Sequence, residues 1–116
     1  MATITLTQGK WLVELSPQTG GSVSRCDYDG QEMLRRASAA GLVSGDARDH
    51  ACFPLVPFSN RIENGVFIFD AERLELPRNM GDHPHTLHGH GWRGEWDVET
   101  QKPDSAVLVY NHEAGV

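Results

Sequence analysis

The sequence predicts an all-β protein, an antiparallel β-sandwich, and three observations predict it. Short segments rich in Val, Ile, Thr and aromatic residues alternate apolar with polar at period two, the pattern of a strand with one buried face. Clusters of turn formers separate these segments at the spacing of an antiparallel sheet. Helical propensity is confined to "EMLRRASAA" at 32–40, enough for at most one helical turn.

The elements follow in order. "TITLT" (3–7) and "KWLVELS" (10–16) read as the first two strands, and "PQTGG" (17–21) turns the chain into a third, "SVSRCDY" (22–28). Asp29-Gly30 is a hairpin turn joining that strand to "QEMLRR", because both residues tolerate the left-handed conformation such turns need. "GLVSGDARDH" (41–50) reads as an irregular connection. An apolar run, "FPLVPF" (53–58), breaks at Ser59, Asn60 and Arg61 before "GVFIFD" (65–70) and "RLEL" (73–76) resume the alternation. After "PRNMGDHP" (77–84) come "EWDVET" (95–100), the turn "QKPDS" (101–105) and "AVLVYNH" (106–112). Neither a repeat nor a linker is visible, so residues 1–116 are expected to form a single β domain, large enough to fold without disulfides.

Charge and composition narrow the function classes. A formal net charge of −6 disfavours nucleic acid, because counterion release needs a basic surface. No run approaches the roughly 18 apolar residues of a membrane span, and no basic region precedes an apolar stretch at the start, so the expectation is a cytoplasmic protein without a membrane partner. Cys26 and Cys52 belong to no CxxC pair and read as reduced thiols. "SAVLVYNHEAGV" reads as a strand with no return strand after it, an association hazard. It is expected either to be covered by another chain, through self-association at this edge, or to mark the chain as the front part of something larger.

Two clusters carry candidate chemistry. Arg61 has two readings: a surface pair with Glu63, worth roughly 0–1 kcal/mol, or a planar fork of donors at the rim of a sheet that grips vicinal oxygens. Four histidines, His83, His85, His88 and His90, fall within "HPHTLHGHGW". His-x-His spacing on an extended segment raises a cupin-type metal site, but the next carboxylate after His85 is Glu95, beyond a glycine-rich turn. No metal is therefore assigned, and His83 and His85 read as loop residues around Pro84. His88, between Leu87 and Gly89, reads equally as a structural or a ligand-facing residue. Trp92 and Trp96 fit core packing before sugar stacking.

In that order, "FPLVPFSNRIENGVFIFD", an "LPRN" segment and "HTLHGHGWRGEWDV" resemble the amino-terminal half of the aldose 1-epimerase (galactose mutarotase) family. The resemblance runs from about Leu12 to the end, on Asn60-Arg61 with Asn64-Gly65, on Asn79, and on Leu87-His88-Gly89 before Trp96. It implies an all-β supersandwich and an isomerase that interconverts the α and β anomers of a free hexose, galactose or glucose, without a cofactor. It also implies that Asn60, Arg61 and His88 bind the substrate, with His88 assisting catalysis near the ring oxygen. The family's acid histidine, in a motif resembling His-x-Tyr-Phe-Asn, and its base glutamate lie in its later half. Neither motif occurs here, and His112 in "NHEAGV" does not match. The chain is thus expected to be an amino-terminal portion with little or no epimerase activity alone. A non-catalytic carbohydrate-binding module and a small cupin-like metal-binding β-sandwich are the alternatives.

Overall fold

A computed structural model of the protein describes residues 2–114. It contains two compact units, Met1–Pro54 with Gly91–Val116, and Leu55–His90. In the first, β1 (Ile4–Gln8), β2 (Trp11–Ser16), β3 (Ser22–Tyr28) and β4 (Gln31–Leu34) form an antiparallel sheet in sequence order. The β3–β4 turn puts Asp29 at φ 51° and Gly30 at φ 76°, the left-handed pair that Asp-Gly supplies at least strain. Trp11 stands opposite Tyr28 across β2 and β3, with ring centroids 4.8 Å apart.

The stretch expected to be helical divides differently. Gln31–Leu34 is drawn into the sheet as an exposed edge strand, and the helix α1 comes later, at Ala39–Ser44. Ser38 caps it, its Oγ accepting from the Gly41 N–H at 3.0 Å, and Gly45 ends it at φ 73°. Capping outweighs the propensity of "EMLRR", whose backbone gains ladder hydrogen bonds to β3 instead. A 3-10 turn at Ala47–Asp49 follows, capped by Asp46.

Further along the same unit, β9 (Asp97–Lys102) and β10 (Ser105–Val109) form a hairpin with a bulge between Val107 and Leu108. The Thr7 N–H donates to Pro103 O at 2.8 Å, which ties that hairpin's turn to β1. Trp92 is 4% exposed and its ring lies 6.1 Å from Phe53, while the Trp96 indole N–H donates to Gly91 O at 2.8 Å. Core packing, the first of the two readings, therefore holds for Trp92. Much of the deepest burial is small and polar: Thr19, Ser22, Ser24 and Asp27.

Asp27 is 2% exposed and accepts from two arginines. Arg36 reaches it twice, Nε to Oδ1 at 3.1 Å and Nη2 to Oδ2 at 3.0 Å, and Arg25 Nε donates to Oδ2 at 2.6 Å. The hydrogen bonds from Arg36 hold the Asp27 carboxyl below the usual carboxylate range, with burial opposing and Arg25 reinforcing them. Arg48 similarly lowers Asp46 to about 2. Both groups bind protons more weakly folded than unfolded, so their stabilisation is full above the unfolded pKa and lost as pH falls through the folded one. Thermal midpoints are therefore expected to hold steady from about pH 7 to 5 and to fall below about pH 4. Asp27→Asn should lower the midpoint at neutral pH and flatten that acid slope; an unchanged slope in calorimetric scans would contradict this role.

Candidate functional site

The unit Leu55–His90 holds the three residues assigned to substrate. Its frame is a short antiparallel ladder between β5 (Arg61–Ile62) and β8 (Thr86–Leu87), in register Arg61↔Leu87 and Ile62↔Thr86. A hairpin of β6 (Val66–Phe69) and β7 (Glu72–Glu75) lies between them in sequence. Gly65, at φ 71°, is where the chain leaves the ladder for that hairpin. A Cβ there would sit 2.6 Å from both Leu76 O and Thr86 Oγ1, so glycine is required by space as well as by conformation.

The ladder continues one step beyond β8, where the His88 N–H donates to Asn60 O at 3.2 Å. Asn60 and His88 thus face each other across the two segments, and Arg61 faces Leu87 beside them. The Asn60 Oδ1 accepts from the Arg61 N–H at 3.0 Å, which pins the start of β5. Arg61 is exposed and, among the described residues, forms no ion pair; the surface pair with Glu63 is not made. Its guanidinium donors are therefore available to a ligand. Leu87 is 7% exposed and anchors the opposite strand.

His88 is half-buried and has φ 57°, uncommon for a residue with a side chain. Gly89 follows at φ 80°, and a Cβ on it would collide with Pro57 Cδ. The turn is held by Asn79. Its Nδ2 donates to Leu87 O and, at 3.2 Å, to Gly89 O, while the Leu87 N–H donates to its Oδ1 at 2.9 Å. Sequence reasoning gave Asn79 no role, because an asparagine among turn residues looks the same whether it bonds locally or eight residues away.

His83 and His85 are half-buried and serve the loop: the Asn64 N–H donates to His85 Nδ1 at 3.0 Å, the His85 N–H to His83 Nδ1 at 3.2 Å, and the rings meet edge-on at 5.4 Å. Among the described residues no group of three or more His, Cys, Asp or Glu side chains is placed to hold a metal, so the cupin-like alternative finds no ligand set. Nor is any helix among them long and apolar enough to cross a membrane.

Similarity to known proteins follows the same lines. The uncharacterized protein YphB of Escherichia coli K12 is 39% identical over 116 residues, 100% of this chain and 38% of that protein. A solved Escherichia coli K12 structure described as a candidate aldose 1-epimerase superposes with a TM-score of 0.88 at 37% identity, covering 99% of this chain and 38% of its own. A galactose mutarotase-like protein from Clostridium acetobutylicum shares the fold at a TM-score of 0.69 and 22% identity, over 91% of this chain and 33% of its own. The chain spans 38% of the length of the Escherichia coli proteins it matches. Its antiparallel strands have the aldose epimerase β-sandwich fold. The aldose 1-epimerase family model matches residues 2–115, and the chain belongs to that family.

Proposed function

We propose that the chain supplies the sugar-gripping part of an aldose 1-epimerase, an isomerase that interconverts the α and β anomers of a free hexose such as galactose or glucose. In that reaction a base removes the anomeric hydroxyl proton while an acid protonates the ring oxygen. The C1–O5 bond opens, the aldehyde rotates, and reclosure on either face exchanges the anomers. No electrons are exchanged and no cofactor is called for. Asn60 and Arg61 bind sugar hydroxyls, and His88 assists from beside the ring oxygen, orienting it and polarising the opening bond. The observation that supports this reading best is the ladder that makes Asn60, Arg61 and His88 backbone neighbours while leaving Arg61, among the described residues, without a carboxylate partner. The reading keeps a cytoplasmic location, with Cys26 and Cys52 as free thiols.

The acid and the base belong to sequence outside these 116 residues, so binding and turnover separate in the chain itself. Polarimetry of freshly dissolved α-galactose is expected to show equilibration at the spontaneous rate with the chain present, while calorimetry shows saturable hexose binding. Absence of binding at concentrations well above 10 mM, against an expected dissociation constant of the order of millimolar for a few hydrogen bonds, would overturn the assignment. Accelerated equilibration would instead place an acid and a base within these residues.

A further inference from the structure

The turn at His88 is an unfavourable one that a distant side chain grips. The Gly89 N–H donates to Leu87 O at 2.6 Å, closing a three-residue turn with His88 at its centre and φ 57°. The positive-φ form of this turn is rare and strained, and a residue with a Cβ populates it only when its surroundings over-determine it. Here the surroundings can be named. Asn79 grips the carbonyls on both sides of His88, Leu87 O and Gly89 O, with its Nδ2, and takes the Leu87 N–H with its Oδ1. The remaining amide of the turn, His88 N–H, goes to Asn60 O. The carboxamide orientation is dictated by this network, since the reversed one would set an NH2 against an N–H and an oxygen against two carbonyls.

Simple loop closure does not need that arrangement. Asn79 lies eight residues from Leu87 and ten from Gly89, and either one bond to β8 or the ladder itself would close the loop. What the two bonds add is control of the Leu87–His88 peptide plane, through Leu87 O, and of the backbone just past the turn, through Gly89 O, so that the direction in which the His88 side chain leaves the chain is fixed from both ends. We propose that Asn79 is a positioning residue, whose carboxamide enforces the strained turn at His88 and so aims the ring at the bound sugar. The second half of that statement rests on the hexose reading; the first does not.

The test uses the full chain with Asn79→Ala, made in the natural background and in a His88→Gly background, where glycine adopts positive φ without strain. Backbone chemical shifts and the HN–Hα coupling report the turn, thermal midpoints report stability, and galactose titration reports function. In the natural background Asn79→Ala is expected to move the residue-88 shifts and coupling to those of negative φ and to weaken galactose binding about tenfold, with amide positions in β1 to β4 unchanged. The loss of thermal midpoint is expected to be clearly smaller in the His88→Gly background. Equal losses in both backgrounds, with the residue-88 backbone unmoved, would overturn the proposal and reduce Asn79 to loop adhesion. If Asn79→Ala does not fold, the isosteric Asn79→Asp, which keeps the acceptor for Leu87 N–H and loses both donations, is read in the same way. Should galactose bind neither parent nor variant, the hexose reading fails, while the coupling between residues 79 and 88 is still decided by the shifts and midpoints.

Discussion

Gly20→Ala is expected to destabilise the chain by about 3 kcal/mol or more, a large share of the roughly 5–15 kcal/mol that holds a domain folded. Gly20 has φ 64°, and a Cβ on it would run into the Trp92 carbonyl, with the Ala47 Cβ only 3.1 Å away. That neighbour is backbone and cannot swing aside. The Gly20 N–H also donates to Gly94 O at 3.0 Å, so retreat of the segment would sacrifice a hydrogen bond next to buried Trp92. Gly9 provides the control. It too has positive φ, 56°, but nothing lies within 4 Å of a Cβ built there. Gly9→Ala is expected to lose only the conformational cost, about 1 kcal/mol. Urea unfolding of the two variants separates conformation from collision, and equal losses would show that the Trp92 contact is soft.

Arg61→Ala is expected to leave stability within about 0.5 kcal/mol of the parent and to weaken hexose binding by about 10- to 100-fold. That range corresponds to the roughly 1.5–3 kcal/mol of hydrogen bonds made by a charged donor. The first half follows from exposure and from the absence of an ion pair to this guanidinium among the described residues. The second follows from the planar fork, which a polyol can accept at two oxygens. Arg61→Lys keeps the charge but not the fork, and should fall between parent and alanine variant. Lysine as good as arginine would mean that charge alone is used. A destabilised alanine variant in a chain that never bound sugar would make Arg61 structural.

The long strands were legible because their signals are local. "SVSRCDY" is β3 at Ser22–Tyr28, and Asp29-Gly30 makes the turn its composition requires. The hairpins over residues 66–75 and 97–109 lie within three residues of the alternation that predicts them. By contrast, β5 and β8 are two residues long, too short to register any period, yet they place the candidate site. The late helix was missed for a related reason. Its signals are the Ser38 cap and the Gly45 stop, whereas propensity pointed upstream to a segment that β3 captures.

The site itself was legible only as residue types. Asn60, Arg61 and His88 stand out as polar groups among apolar ones, and the roles proposed for them come from the resemblance rather than from the residues themselves. That His88 faces Asn60 across a ladder, and that Asn79 holds the turn between Leu87 and Gly89, are consequences of pairing between segments many residues apart. A one-dimensional pattern carries no register for such pairs. The burial of Asp27 against Arg25 and Arg36 was hidden in the same way, since its strand position alone fits an exposed carboxylate equally well.

Whether hexose is held at the β5–β8 ladder is best answered by following every backbone amide of the chain in a galactose titration by nuclear magnetic resonance. Saturable shifts centred on Asn60, Arg61 and His88, fading into β6 and β7 and absent from β1 to β4, are the predicted result. Shifts that gather instead around Trp92 and Arg93, or that never saturate anywhere, would contradict it.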